Sequence, residues 1–152
     1  MKNIPINEMK FSFPSYSENE SLARIVVSGF ISRLDPAIDQ LSDIKTAVSE
    51  AVTNSIVHGY RGTVGIIDMQ VKLFNNGEIY IKIHDKGCGI EDIEKAMEPL
   101  FTTAPEDDRA GLGFAVMESF MDKIQVKSAV GKGTTVIMRK KLSLSRRFYG
   151  KE

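Results

Sequence analysis

The strongest constraint on the fold is a hairpin signature in the middle of the chain. Two β-rich runs, Ile66–Phe74 and Glu78–Asp85, are joined by Asn75-Asn76-Gly77. Asn-Gly between two such runs is a strong signal for a tight turn between antiparallel strands. The fold is therefore expected to contain hairpins rather than a strict alternation of strand and helix.

The chain before this hairpin carries one strand pattern and two helix patterns. Ile6–Phe13 alternates loosely between apolar and polar residues and predicts a first strand. Ser17-Glu18-Asn19-Glu20 has the form of a capping box, which predicts a helix ending near Leu34. Asp35-Pro36 has the form of a second helix start, and the apolar stripe that follows predicts a long helix running to His58.

Shorter elements are expected after the hairpin. Glu91–Met97 fits a short helix, and Pro99–Ala110 is a polar connection without periodicity. Loops of that length are usually functional or mobile, so this one fits a lid. A further helix and a second hairpin complete the pattern: Phe114–Phe120, then Lys123–Ser128 and Thr134–Lys141 joined by Gly131-Lys132-Gly133.

This order of elements predicts an α+β fold, a two-layer α/β sandwich. Its sheet is expected to be mixed, mostly antiparallel, with the helices on one face. At 152 residues the chain has the length of one domain. We assign residues 1–142 to that domain and residues 143–152 to a basic, flexible tail.

Composition limits the classes of partner. Lys and Arg together number 20, as do Asp and Glu, so net charge gives no reason to expect direct nucleic-acid or membrane binding. No run approaches the ~20 apolar residues of a transmembrane helix. The single cysteine, Cys88, excludes an internal disulfide and fits a reducing compartment. We expect a soluble, cytoplasmic protein.

An acidic residue followed by alternating glycines stands directly after the second central strand. In Asp85-Lys86-Gly87-Cys88-Gly89, an ionised carboxylate is a pure hydrogen-bond acceptor and suits an exocyclic amine such as that of adenine. Gly87 and Gly89 allow the backbone to lie against a flat ligand. The alternative for this segment alone is an ordinary turn.

The long helix carries Glu50, Asn54 and His58 at a spacing of four residues, which places them along one face. An amide oxygen with water suits Mg²⁺, and a nearby carboxylate can deprotonate a nucleophile that attacks a phosphate. The alternative is a solvated helix face. His58 fits better as a helix C-terminal residue favoured by the helix dipole.

Two further glycine segments are candidates for phosphate contacts. Gly111-Leu112-Gly113 stands at a predicted helix start, where backbone amides bind phosphate. Gly131-Lys132-Gly133 lies between two strands and fits a hairpin turn better than a phosphate loop. Thr135 follows at the start of the last strand, where its hydroxyl is expected to reach the pocket of Asp85.

Other chemistries find little support in the residues. One cysteine and two histidines cannot build a structural zinc site. A hydrolase of the Ser/His/Asp type has no nucleophile-elbow signature here. Cys88 fits better as a small packed residue between glycines than as a nucleophile.

Taken together, these segments resemble the N, G1 and G2 boxes of the GHKL ATP-binding superfamily, the Bergerat fold. The boxes correspond to Glu50–Asn54, Asp85–Gly89 and Gly111–Gly113, followed by Gly133-Thr134-Thr135. The chain is also similar to the sporulation anti-sigma F factors, and this similarity runs nearly end to end. Three longer segments carry it: residues 17–24, residues 49–60 and Pro99-Leu100-Phe101-Thr102-Thr103.

The resemblance implies a double function and a set of partners. With ATP bound, a homodimer of such a protein holds a sporulation sigma factor away from RNA polymerase. It is also a serine protein kinase that phosphorylates, and so inactivates, an anti-anti-sigma factor. ATP or ADP and Mg²⁺ are the implied ligands.

The resemblance also implies residue roles. Asp85 would bind the adenine amine, Asn54 would hold Mg²⁺, and Glu50 would be the general base. Arg109 resembles the family's lid arginine, and Arg24 matches the arginine that meets protein partners. The remaining nucleotide contacts would come from Gly87, Gly89, Thr103, Gly111, Leu112, Gly113 and Thr135.

One departure and several alternatives stay open. Family lids often read Thr-Lys-Pro, whereas Thr103-Ala104-Pro105 stands here, which puts a lysine–phosphate contact in doubt. The alternatives are a general stress-response switch kinase of the same superfamily and a non-catalytic, ATP-dependent sigma-binding module. A sensor histidine kinase fits poorly, because the ~20 residues before the first helix cannot hold paired dimerisation helices.

Overall fold

A computed structural model describes residues 4–98 and 113–143 of the chain. Its strands and helices follow the predicted order. They are β1 (Asn7–Pro14), α1 (Asn19–Ile31), α2 (Ile38–Asn54), β2 (Ile66–Leu73), β3 (Glu78–Asp85), α3 (Ile93–Ala96), α4 (Gly113–Phe120), β4 (Lys123–Ala129) and β5 (Gly133–Lys141).

Both predicted hairpins form. β2 and β3 pair antiparallel, as do β4 and β5. In the central turn Gly77 has a φ of +88°, a left-handed conformation that glycine adopts without steric cost. The local turn chemistry was therefore sufficient to predict both connections.

The five strands form one sheet in the order β1-β2-β3-β5-β4, and every pairing between them is antiparallel. Inward-facing residues alternate along β2 and β3 and are buried against α1, α2 and α4, as in a half-buried sheet. The predicted two-layer sandwich is thus confirmed. Its core includes Val27, Ile44, Val48, Ile67, Val71, Ile81, Ile83, Met117 and Met138.

The start of α1 differs from its prediction. The N-cap position is Glu18, and no side chain caps the helix. The predicted Ser17–Glu20 capping box is therefore wrong, because the Glu20 carboxylate is engaged elsewhere: it accepts a hydrogen bond from the Thr53 hydroxyl on α2 at 2.7 Å. A 3₁₀ turn, Ser32–Leu34, follows α1 and carries the chain to the predicted end.

The start of α2 is also displaced. Asp35 was predicted as its capping acid, but Asp35 ends the preceding turn with a φ of +47° and donates its N–H to the carbonyl of Ser32 at 2.9 Å. A residue held in this way cannot take the extended conformation of an N-cap. The helix starts instead at Ile38, after Ala37 in extended conformation.

The end of the long helix changes its winding. After Asn54 the chain continues as a π-helical turn, Ser55–Gly59, closed by a bond from the Tyr60 N–H to the Ser55 carbonyl at 2.9 Å. Such turns hold one residue more than an α-turn and often occur at functional sites. The predicted extent to His58 is correct, although the geometry of the last turn was not predicted.

Candidate functional site

A cavity of about 940 Å³ opens at the end of α2. It is lined by the π-turn, the segment after β3, α3, and the start of α4. This volume lies at the upper end of the range for pockets that hold drug-sized ligands. Of the residues predicted as nucleotide contacts, it brings together Asn54, Asp85, Gly89 and Gly113.

Asp85 is the buried charged group of this cavity, with 3% of its surface exposed. The Ser55 hydroxyl donates to its Oδ2 at 2.9 Å, and the Gly87 N–H donates to its Oδ1 at 2.9 Å. A carboxylate offers about four acceptor positions, so these two bonds leave acceptor capacity on both oxygens. The arrangement presents a fixed acceptor to any ligand donor in the cavity.

Close backbone packing fixes the segment after Asp85. The Cys88 N–H donates to the carbonyl of Gly59 at 2.9 Å. A Cβ on Gly87 would lie 2.3 Å from that carbonyl oxygen, so a larger residue cannot occupy this position without displacing the π-turn. Gly87 therefore acts on the site through its amide and its small size.

Gly89 meets a second constraint in the same segment. Its φ is +77°, and a Cβ there would lie 2.2 Å from the carbonyl oxygen of Ala129. Both the conformation and the contact require glycine. The segment Asp85–Gly89 is thus clamped between the π-turn and the β4–β5 turn.

Asn54 and Gly113 meet on another side of the cavity. A Cβ on Gly113 would lie 2.8 Å from Asn54 Oδ1, so the start of α4 lies against the amide of Asn54. One amide oxygen together with water and ligand phosphates matches the preference of Mg²⁺ for few protein ligands. Asn54 could therefore hold Mg²⁺ through Oδ1.

Glu50 lies one helical turn before Asn54 on the same face of α2. Its side chain is half-buried and falls outside the part of the cavity lining that the described residues form. The predicted roles of Thr103, Arg109, Gly111 and Leu112 concern positions outside the described residues. Their contacts stay predictions.

The predicted position of Thr135 needs a correction. Thr135 pairs with His84, and its Oγ1 lies 2.8 Å from His84 Nδ1. Thr134 pairs with Asp85 and lines the cavity. Because successive strand residues point to opposite faces, Thr135 lies on the face of the sheet away from Asp85, and Thr134 occupies the place predicted for it.

Two residues of the site were missed from the sequence. Ser55 falls within the predicted long helix without a predicted role in the site, but its hydroxyl donates to Asp85. Thr134 is buried and hydrogen-bonded to Ser128 at 2.8 Å. The pairing of β5 with β3 identifies Thr134, and no sequence signal indicated either that register or the π-turn.

His58 and Cys88 line the cavity as well. The Cys88 thiol donates to the carbonyl oxygen of His58 at 3.1 Å and is half-buried. This packing agrees with the expectation that Cys88 is a small packed residue. Among the described residues, no group of three His, Cys, Asp or Glu side chains could hold a metal ion.

Tyr60 ties the π-turn to the segment after β3. Its hydroxyl accepts the Lys86 N–H at 2.8 Å and donates to the carbonyl of Ile66. Burial raises the pKa of this hydroxyl above its ordinary value, although the bond from Lys86 acts in the opposite direction. Tyr60 therefore stays neutral and keeps both bonds at physiological pH.

Arg24 lies on α1 and is not among the described residues that line the cavity. Its Nη1 donates to Ser49 Oγ at 3.1 Å and lies 3.7 Å from Glu20 Oε1. The side chain is 39% exposed. Arg24 is thus anchored on one side and accessible on the other.

The comparisons with known proteins agree with this geometry. Residues 13–140 match the family model of the histidine kinase-like ATPase domain. An anti-sigma F factor of Thermoanaerobacter sp. (strain X514) is 56% identical over 88% of this chain and 93% of its own length. That of Clostridium acetobutylicum is 51% identical over 91% and 96%, and that of Geobacillus kaustophilus 50% identical over 92% and 96%.

The chain belongs to the anti-sigma F factor family. Its domain is a histidine kinase-like ATPase domain of the GHKL class, which implies nucleotide binding. The resemblance inferred from the sequence is confirmed at this level.

Solved structures support the fold assignment of this anti-sigma F factor family member. The RsbU and RsbW domains of a Mycobacterium tuberculosis protein align with a TM-score of 0.68 at 20% identity, covering 92% of this chain and 33% of that longer one. The catalytic domain of the histidine kinase ThkA aligns with a TM-score of 0.52 at 14% identity, over 90% and 99%. No helix in the described part of the chain is long and apolar enough to cross a membrane.

Proposed function

We propose that this protein, with ATP bound, sequesters a sporulation RNA polymerase sigma factor and phosphorylates a serine of its anti-anti-sigma factor, which inactivates that factor. The observation that carries the proposal is the buried, doubly hydrogen-bonded Asp85 facing a cavity of nucleotide size. The relatives described above, which are anti-sigma F factors, support the sigma-binding half.

The adenine end of the nucleotide is proposed to lie against Asp85. Its carboxylate accepts a hydrogen bond from the exocyclic amine of adenine. Guanine carries an oxo group at that position, which has no hydrogen to donate to the carboxylate. Ser55 and Gly87 hold the two carboxylate oxygens in place. Thr134 contributes a buried hydroxyl beside Asp85.

The phosphate end is proposed to lie near Asn54 and the start of α4. Asn54 Oδ1 would hold Mg²⁺, which neutralises phosphate charge when bound. Backbone amides at the α4 start are suited to phosphate oxygens. From the family resemblance, we assign contacts over the phosphates to Thr103, Arg109, Gly111 and Leu112.

Glu50 is proposed as the general base. The substrate serine hydroxyl gives its proton to the Glu50 carboxylate as its oxygen attacks the γ-phosphorus in line. A new serine O–P bond forms, the bond between the γ-phosphorus and the bridging oxygen breaks, and ADP leaves. Glu50 later releases the proton to solvent.

Docking of the protein partners is proposed to involve a residue outside the cavity. Arg24 is proposed as a contact for the protein partners, because it is anchored and partly exposed. The proposed assembly is a cytoplasmic homodimer. Arg109 is the proposed lid cation, because Ala104 stands where the family often has lysine.

The test mixes the purified protein with ATP, Mg²⁺ and the anti-anti-sigma protein from the same genome. We expect phosphoserine on that partner with the wild type and none with Glu50→Gln, whereas the nucleotide dissociation constant changes less than about twofold, because a base acts on the hydroxyl. Mass spectrometry and calorimetry are the measurements.

Glu118→Gln is the matched control, since Glu118 is an exposed glutamate on α4. It is expected to transfer phosphate at the wild-type rate. Absence of phosphoserine with the wild type would leave a non-catalytic, ATP-dependent sigma-binding module as the function. Loss of nucleotide binding in Glu50→Gln would instead give Glu50 a structural role.

A further inference from the structure

Two hydrogen bonds connect α1 to α2, and one ion pair joins the two α1 residues that make them. Arg24 Nη1 donates to Ser49 Oγ at 3.1 Å, and Thr53 Oγ1 donates to Glu20 Oε2 at 2.7 Å. Glu20 Oε1 lies 3.7 Å from Arg24 Nη1, which closes the arrangement. We call these four residues the polar bridge.

The inner half of the polar bridge is buried. Ser49 and Thr53 are 7% and 8% exposed, and the Glu20 side chain is 15% exposed. Polar groups at such depth depend strongly on their partners, because water cannot replace them. Glu20 and Arg24 therefore help to hold the two hydroxyl groups in place.

The outer half of the polar bridge is open. The Arg24 side chain is 39% exposed, and a guanidinium carries five N–H donors. Nη1 faces inward to Ser49, so the other nitrogens can bind a carboxylate in the planar, two-pronged geometry that arginine favours. A partner that supplies an acidic side chain can therefore bind Arg24 while the inner bond persists.

The bridge reaches α2 at positions next to the proposed catalytic residues. Ser49 directly precedes Glu50, and Thr53 directly precedes Asn54. The two bridge residues are therefore four positions apart, as are the two catalytic-face residues. Successive residues of an α-helix are turned by about 100° around its axis. Fixing the orientation of Ser49 and Thr53 against α1 consequently fixes the direction in which Glu50 and Asn54 point.

We propose that the polar bridge couples partner binding at Arg24 to the catalytic face of α2. An acidic side chain of the partner holds the guanidinium, the guanidinium holds Ser49, and Thr53 is held through Glu20. Glu50 is thereby aligned for the substrate hydroxyl when the partner is present. Ser49 and Thr53 are not among the described residues that line the cavity, and they are proposed as positioning residues. The inference rests on the roles proposed above for Arg24 and Glu50.

Thr53 offers a sharp pair of variants. Thr53→Val removes the hydroxyl and keeps the shape, whereas Thr53→Ser keeps the hydroxyl. We expect Thr53→Val to lower kcat for phosphorylation of the partner about tenfold with KM changed less than twofold, since small misplacements of reacting groups are costly. Thr53→Ser is expected to retain kcat within about twofold. Thr46→Val, which removes an outer hydroxyl bonded to the Ser42 carbonyl on the same helix, is the matched control.

A thermodynamic measurement keeps the inference separate from the kinase proposal. Calorimetry gives the dissociation constant for an anti-anti-sigma protein whose phosphorylated serine is replaced by alanine, with and without a non-hydrolysable ATP analogue. We expect the analogue to change this constant by about tenfold in the wild type, within the usual range for coupled sites. Ser49→Ala and Thr53→Val should bring the ratio close to one, and Ser42→Ala should leave it unchanged.

The outcomes separate cleanly. A wild-type ratio of one, or a ratio that both Ser49→Ala and Thr53→Val preserve, overturns the coupling. If the ratio falls to one in these variants while the kinase assay with the wild-type protein gives no phosphoserine, the coupling is kept and only the kinase activity is removed. A kcat that falls equally in Thr53→Val and Thr53→Ser assigns Thr53 a packing role and overturns its part in the bridge.

Discussion

Asp85 and Arg24 are both charged recognition groups, but the protein builds them in opposite ways. Asp85 is 3% exposed and is held by a buried hydroxyl and a backbone amide in a segment that needs glycines. Arg24 is 39% exposed and is held by one hydroxyl and one carboxylate of other side chains. A small ligand of constant shape suits the first arrangement, and a protein surface that docks from outside suits the second.

The backbone packing that holds the Asp85 segment can be disrupted at the β4–β5 turn. Gly133 has a φ of +108°, and a Cβ there would lie 2.0 Å from the Asp85 carbonyl oxygen. We expect Gly133→Ala to lower the free energy of unfolding by about 3 kcal/mol or more, because strain and overlap add. Urea denaturation measures this.

Gly131 provides the control for that substitution. It has a φ of +78°, but a Cβ would meet nothing within 4 Å. Gly131→Ala is therefore expected to lose about 1 kcal/mol from conformational strain alone. Equal losses in the two variants would show that contact with Asp85 contributes nothing to the rigidity of its segment.

The chemical side of the Asp85 site is broken by Asp85→Asn. The amide replaces one of the two acceptor oxygens of the carboxylate with an NH₂ group, which is a donor. This donor then faces another donor, either the Ser55 hydroxyl or the adenine amine. We expect ATP and ADP affinity to fall alike, by about 100-fold, or about 2.7 kcal/mol. Isothermal titration with each nucleotide is the measurement, and a variant that binds ADP normally contradicts the assignment.

Asp68→Asn is a suitable control for Asp85→Asn. Asp68 lies on the neighbouring strand, pairs with His84 rather than Asp85, and is bonded to Ser12. It belongs to the opposite face of the sheet from Asp85, because the pairing alternates. Nucleotide affinity should be unaffected by this change.

The smallest expected effect is at Arg24. Arg24→Ala should weaken binding of the anti-anti-sigma protein about tenfold, or about 1.4 kcal/mol, because the residue is partly exposed and solvent already screens it. ATP affinity should stay at the wild-type value. Calorimetry against both ligands, with the exposed Arg33→Ala as control, tests this, and an equal loss for partner and ATP would remove the contrast between the two regions.

The sequence predicted the parts of the fold that local chemistry determines. Asn75-Asn76-Gly77 specified a hairpin because its turn geometry needs those residues. The apolar stripe of α2 specified a helix because its apolar residues recur with the period of an α-helix, which places them all on the face that packs against the core. Asp85 and Asn54 were found through their order and spacing, and the structure brings both to one cavity.

The parts that the sequence did not predict depend on contacts between distant segments. Glu20 looked like a capping residue, but the hydroxyl of Thr53, 33 positions later, competes for it. Thr135 was predicted in place of Thr134 because the strand pattern shows that successive residues alternate between the two faces of the sheet, but not which residue lies on which face. The pairing with β3 decides this. The π-turn was not predicted because Ser55 fits an α-helical stripe equally well.

The π-turn after Asn54 has a consequence for the length of the chain in this region. It accommodates one residue more per turn than an α-helix, so deleting any one residue of Ser55–Gly59 would let the segment rewind as a regular α-turn. The residues after the deletion would keep their angular position relative to α2, because an α-turn completes the same rotation with one residue fewer. The bond from the Tyr60 N–H to the Ser55 carbonyl would be lost. We therefore expect the strands and helices that follow to keep their place when one residue of this turn is deleted.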